Sequence, residues 1–126
     1  IALPKGHAMA NRQISFEELK DESFVLWRDG YHLRDLTLEV CEAAGFSPKV
    51  SVSGSDVDTA LRFVEAGLGI TLVPDLAIQA QDDVETSEFT QPLLRKVSLA
   101  RSTKRYYSKA AEAMAKYLQR SLFNVL

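Results

Sequence analysis

With 126 residues, 46% of them apolar and 25% charged, the chain has the makeup of one globular domain, and nothing in its composition points to a disordered, fibrous or membrane class. A formal charge of -2 gives no overall pull on polyanions, which argues against nucleic-acid contact by this segment. The single cysteine excludes an internal disulfide framework and a cysteine-based zinc site, no apolar run reaches membrane-spanning length, and no signal peptide is visible.

The chain opens on Ile1-Ala2-Leu3 rather than methionine, within what reads as a strand over residues 1–4, so the natural N-terminus is expected upstream. Ser15-Phe16-Glu17-Glu18 has the spacing of a capping box and predicts a short helix. Phe24-Val25-Leu26-Trp27 is a continuous apolar run, as in a strand covered on both faces. Leu33, Leu36, Val40, Cys41 and Ala44 recur at helical spacing, and Gly45 ends that helix. Residues 49–53 alternate as a strand. Ser55 with Asp58 signals the next helix start, and Val57, Ala60, Leu61, Val64 and Leu68 share one face of it.

Gly67-Leu68-Gly69 therefore follows a helix and precedes the strand Ile70-Thr71-Leu72-Val73, the reverse of the order in a phosphate-binding loop. Gly67 is expected to end the helix in the left-handed region and Gly69 to turn the chain into the strand. Pro74 closes that strand and opens a short helix over residues 75–79. Residues 80–92 read as a solvated loop with an edge strand, and residues 97–100 as a strand. Ser108 caps a last helix whose stripe is Ala110, Met114, Tyr117, Leu118 and Leu122.

Strands alternating with helices predict an α/β fold: a Rossmann-like lobe with a mostly parallel sheet and helices on both faces. The turns at residues 28–32, 53–56 and 74–75 then share one sheet edge, where ligands bind in open α/β folds. Arg28, Tyr31, His32 and Arg34 give the first turn a cationic character suited to a carboxylate, the alternative being that Arg34 and Asp35 are ordinary first-turn surface residues. Ser53, Gly54 and Ser55 offer hydroxyls and backbone donors at a helix start, although Asp56 and Asp58 already satisfy its positive end. Cys41 lies on an apolar stripe, which favours a buried inert thiol over a redox sensor. His7 and His32 lack any metal-ligand pattern, and no nucleophile elbow or triad spacing occurs, so neither a metal, a cofactor nor catalysis is expected. The run Arg95, Lys96, Arg101, Lys104, Arg105, Tyr106, Tyr107 reads as a solvated edge rather than a nucleic-acid strip.

Several stretches together resemble the effector-binding domain of LysR-type transcriptional regulators, mainly its second lobe. Residues 1–10, ending His7-Ala8-Met9-Ala10 where the family commonly has His-Pro-Leu-Ala, are similar to the segment that crosses into that lobe. Residues 15–26 resemble the helix and strand that follow, and Gly67-Leu68-Gly69-Ile70-Thr71-Leu72-Val73-Pro74 resembles the family's recurrent helix-to-strand segment. Residues 95–99 look like the returning strand and residues 108–122 like the closing helix of the first lobe.

The resemblance implies a fold like one lobe of a type 2 periplasmic-binding protein. Residues 1–100 would be the second lobe with the crossing strands at its ends, and residues 101–126 a helix of the first lobe. It implies a small-molecule effector, an organic anion, held between lobes by Arg28, Tyr31, His32, Ser53, Gly54, Ser55 and Pro74. DNA would be bound only by a winged helix-turn-helix outside this chain. A cytoplasmic homo-oligomer without membrane contact is expected, with the stripe of the last helix covered by a neighbouring copy or lying on a different surface. The rival readings are a lobe of a periplasmic solute-binding protein and a small α/β enzyme.

Overall fold

In the computed structural model, which describes the backbone of residues 1–123 and the side chains of residues 1–121, the apolar run becomes the strand around which the first unit is built. This is β3 (Ser23–Trp27), whose Phe24, Val25, Leu26 and Trp27 are each at most 1% exposed. Burying each contributes about 1.5–3 kcal/mol, so the strand alone anchors a large part of the core. On one flank β3 pairs in parallel with β4 (Lys49–Gly54). The register slips between Phe24 and Val25, which leaves Ser51 unpaired, and its hydroxyl donates to the Leu68 carbonyl at 2.6 Å.

On the other flank lie residues 70–73. The Val25 N–H donates to the Ile70 carbonyl at 2.9 Å, and the Ile70 N–H to that of Ser23 at 2.8 Å. Thr71 then exchanges two bonds with Ala2 of β1 (Ala2–Pro4), running antiparallel. β1 pairs antiparallel with β5 (Val84–Thr86), the edge strand expected within residues 80–92. The order across is thus β4, β3, residues 70–73, β1, β5, with only β1 reversed, but the strand expected over 70–73 is reduced to single bridges at Ile70 and Thr71 that link β3 to β1. A separate two-residue parallel pair joins β2 (Gln13–Ile14) to β6 (Glu88–Phe89).

Helices cover both faces. α1 (His32–Ala43) and a 3-10 helix over Phe16–Asp21 lie over a core of Leu3, Met9, Ile14, Leu19, Phe24, Cys41 and Ile70. α2 (Val57–Glu65) covers Ala2, Val25 and Trp27 with its own Ala60, Leu61 and Val64. Both α-helices end in paired reverse-turn bonds: Gly45 to Glu42 and Phe46 to Cys41, then Gly67 to Val64 and Leu68 to Phe63. Gly67 has φ +77°. Gly69, at φ +154°, lies so close to β3 that a Cβ there would strike the Ser23 carbonyl. These two glycines contact backbone, as their position between helix and strand predicts.

Four other local expectations shift. The α2 cap is Asp56, not Ser55 paired with Asp58: the Asp56 carboxylate accepts the Thr59 N–H at 2.9 Å, because β4 continues to Gly54 and sets the helix start one residue later. The capping box at Ser15 does form, with the Ser15 N–H donating to Glu18 at 2.8 Å, but the helix is 3-10. The helix after Pro74 is one 3-10 turn, Asp75–Ala77. Residues 97–100 form no strand. They find no backbone partner among the described residues, and an apolar alternation without a ladder does not make a strand.

Contacts divide the chain into Ile1–Leu93, described above, and a second unit, Leu94–Leu126. In the second, an irregular segment leads into α3 (Lys109–Phe123), where the Ser108 hydroxyl accepts the Ala111 N–H at 3.1 Å, the expected cap. Met114 and Tyr117 of its stripe are 58% and 66% exposed, and the side chain of Leu122 lies outside the described residues.

Candidate functional site

β3, β4 and residues 70–73 are neighbours running in one direction, so their C-terminal ends place three turns side by side. They are the turns at 28–32, 53–56 and 74–75 anticipated from the sequence, with His32 now the first residue of α1. Hydrogen bonds tie them together. The Arg28 N–H donates to the Gly54 carbonyl at 3.2 Å, and the Trp27 indole N–H donates to the Leu72 carbonyl at 2.9 Å.

Trp27 is buried and forms the floor of the first turn. The Tyr31 ring stacks on it with centroids 6.1 Å apart and planes 22° apart, and the Arg28 guanidinium sits 5.4 Å from the Tyr31 centroid. Arg28 is exposed and forms no ion pair among the described residues. Its charge is therefore available, steadied by the aromatic face below it. Arg34, in contrast, faces back: its Nη1 donates to the Trp27 carbonyl and its Nε to Asp29, each at 2.8 Å. His32 is the exposed first residue of α1, and Tyr31 its half-buried N-cap.

In the second turn Ser53 is exposed and Gly54 is buried against Ala60. The Ser55 hydroxyl donates to Asp56 at 2.7 Å, so this side chain is engaged in the cap. The bond from the Thr59 N–H holds the Asp56 carboxyl below the usual range, helped by the Ser55 and Thr59 hydroxyls and, last, by the charge of Arg28. The positive end of α2 is thus already met by an internal carboxylate. Pro74, partly buried at φ -61°, sets the third turn and is followed by exposed Asp75 and Leu76.

The structure thus brings Arg28, Tyr31, His32, Ser53, Gly54, Ser55 and Pro74 to one rim. Arg28 stands out among them as a cation in no ion pair among the described residues, its charge felt only weakly by Asp56. Local charge decides here: the first unit carries sixteen of the chain's seventeen acidic residues and seven of its fifteen basic ones. An anion would be drawn to Arg28 itself rather than to the field of the unit.

Elsewhere in the first unit, Asn11, Arg12, Gln13, Thr86, Ser87 and Glu88 line an open polar groove that sequence reasoning did not anticipate. It arises where the short β2 and β6 meet, a pairing of residues some seventy-five positions apart with no local signature. Its cation is committed, since Arg12 binds Glu18 at 2.7 Å. Cys41 is fully buried, and burial pushes its thiol up to about 11. Among the described residues no cluster of three or more His, Cys, Asp or Glu could hold a metal, and no helix is long and apolar enough to cross a membrane.

Comparison with known proteins bears on this arrangement. The family model described as the LysR substrate binding domain matches residues 1–122. The uncharacterized HTH-type transcriptional regulator YybE of Bacillus subtilis is 32% identical over 120 residues, covering 94% of this chain and 41% of that protein. The transcriptional dual regulator GltC of the same organism is 36% identical over 74 residues, 58% of this chain and 25% of that protein. The chain therefore spans between a quarter and two fifths of these relatives.

Among solved structures, the effector binding domain of QuiR in complex with shikimate superposes with a TM-score of 0.78 at 20% identity. The match covers 94% of this chain and 58% of that one, and it shows the shared fold. Fold, order of elements and family match agree, and the chain belongs to the LysR substrate-binding domain family.

Proposed function

We propose that the first unit is the effector-binding lobe of a LysR-type regulator and that a small organic anion binds at the rim formed by the turns at 28–32, 53–56 and 74–75. The observation that carries this is Arg28, an exposed guanidinium without an ion-pair partner among the described residues, held over Tyr31 at the C-terminal edge of the parallel strands β3 and β4 and the parallel segment 70–73. Arg28 supplies the charge, Tyr31 and His32 flank it, and the Ser53–Gly54–Ser55 turn and Pro74 shape the far wall. QuiR's effector domain binding shikimate on the same fold supports a carboxylate of that size as the first compound to test.

In this reading residues 1–100 belong to the second lobe and residues 101–126 to the first. Ligand binding between the lobes changes their relative angle, and with it the way a cytoplasmic homo-oligomer presents DNA-binding parts that lie outside this chain. In this reading the chain binds rather than catalyses, as its match to a family of substrate-binding domains supports. The family match and the relatives, all named as transcriptional regulators, favour this over a transport lobe.

The test is a thermal-shift screen of small carboxylates, shikimate included, against the protein. Stabilisation should grow with the logarithm of ligand concentration above Kd and vanish in an Arg28→Gln, Ser53→Ala double variant. Stabilisation that survives both changes would remove the rim from consideration.

A further inference from the structure

Sequence reasoning places Arg34 with Arg28 as part of one cationic cluster, but the structure separates their tasks. Arg34 leaves the first turn of α1 and reaches back seven residues to the Trp27 carbonyl, the last of β3, at 2.8 Å. The same guanidinium reaches Asp29 through Nε, also at 2.8 Å. Its side chain is only 26% exposed, whereas that of Asp29 is 94% exposed. The planar fork thus grips a carbonyl and a carboxylate in fixed relative directions.

Between those two anchors and α1 lies Gly30, at φ +88°, the most permissive point of the turn. Arg28 and Tyr31 sit on either side of this stretch. Within the turn their backbones are joined by one long bond, Tyr31 N–H to Arg28 carbonyl at 3.4 Å, while Arg28 N–H reaches Gly54 at 3.2 Å and the Tyr31 ring lies on Trp27. The Arg34 fork adds two bonds to this same turn, at Trp27 and at Asp29.

We infer that Arg34 is a positioning residue: bound to the Trp27 carbonyl and to Asp29, it holds the 28–31 turn so that Arg28 stays over Tyr31 at the rim. The inference rests on the rim reading for its consequence in binding, but the brace itself is a property of the turn and is measured without ligand.

Ring current makes the stack visible, because a guanidinium over the Tyr31 face has its Nε–H proton resonance moved upfield. In nitrogen-15 spectra of the intact chain, Tyr31→Leu should return the Arg28 resonance to the ordinary arginine position. Arg34→Gln should move it the same way, while Arg34→Lys, which supplies one point charge in place of the fork, should give an intermediate shift. Asp29→Asn leaves Arg34 in place and removes one anchor, and should also give a partial shift. The melting temperature of Asp29→Asn and Arg34→Lys should stay near that of the parent, which separates a lost stack from a lost fold.

If Arg34→Gln keeps the parent Arg28 resonance, the inference is overturned. If that variant does not fold, parent-like Arg28 resonances in both Arg34→Lys and Asp29→Asn overturn it equally. With shikimate as probe, Arg34→Gln should weaken binding about tenfold although Arg28 is retained. A displaced Arg28 resonance with unchanged shikimate binding, or a parent that binds none of the screened carboxylates, would leave the brace standing and remove the effector reading of the rim.

Discussion

Gly69→Ala should be among the most damaging single-methyl changes in the first unit. At φ +154° an L side chain is strained, and the added Cβ would meet the Ser23 carbonyl oxygen, with the Ser23 and Phe24 carbonyl carbons 2.9 and 3.2 Å away. All three are backbone atoms of β3, so no rotamer change relieves the contact. β3 and residues 70–73 must move apart, which weakens the bonds from Val25 to Ile70 (2.9 Å) and from Ile70 to Ser23 (2.8 Å). Backbone strain of about 1–3 kcal/mol and overpacking of similar size together give a loss of roughly 3–5 kcal/mol. Gly67→Ala is the control: φ is +77°, but its Cβ meets nothing within 4 Å, so it should cost only about 1–2 kcal/mol. Urea titration followed by Trp27 fluorescence reports on this unit, with an m-value of about 1–2 kcal/mol/M giving a midpoint shift of roughly 1.5 M or more for Gly69→Ala. Equal shifts for the two variants would refute the close approach of Gly69 to β3.

Thr71 has a buried hydroxyl without a hydrogen-bond partner among the described residues. Thr71→Val should therefore raise stability by about 1 kcal/mol in the same titration, and a loss of that size would reveal a partner for the hydroxyl. Cys41, buried and raised to about 11, should react with an aromatic disulfide reagent at pH 8 only as fast as the unit opens; labelling at the rate of free cysteine would contradict its packing. The Asp56 and Glu65 carboxyls are held below their ordinary values of 3.8 and 4.5, Asp56 chiefly by the Thr59 N–H and Glu65 chiefly by the Asp83 N–H, then Arg62. The unfolded chain thus binds protons more tightly than the folded one. The stabilisation is complete above about pH 5 and is lost as the pH falls through the depressed native values. Asp56→Asn, which keeps a cap but not a titrating group, should flatten this acid slope in thermal melts, and a slope parallel to the parent's would show that Asp56 contributes nothing to it.

Features specified by neighbours in sequence were legible without coordinates. α1 and α2 follow from apolar spacing and a terminating glycine, and the direction of residues 67–74 follows from a helix preceding a strand. Once those directions are known, the rim is a consequence of topology. What escaped depends on distant partners or on competition between adjacent groups. Ser55 and Asp56 are both good caps, and the length of β4, fixed by pairing with β3, selects Asp56. Residues 97–100 have the composition of a strand, yet a strand exists only beside another, and none is present for them among the described residues. The polar groove comes from the pairing of β2 with β6. Arg34 could be placed near the rim from sequence, but its direction depends on the turn at Gly30, which brings the Trp27 carbonyl within its reach.

Whether the rim of the first unit receives the effector is decided by titrating the nitrogen-15-labelled chain with shikimate and other small carboxylates, followed amide by amide. Saturable shifts should concentrate at residues 28–32, 53–56 and 74–75 and disappear in Arg28→Gln. Shifts centred instead on the groove of Asn11, Gln13 and Glu88, or undiminished without Arg28, would contradict the rim reading.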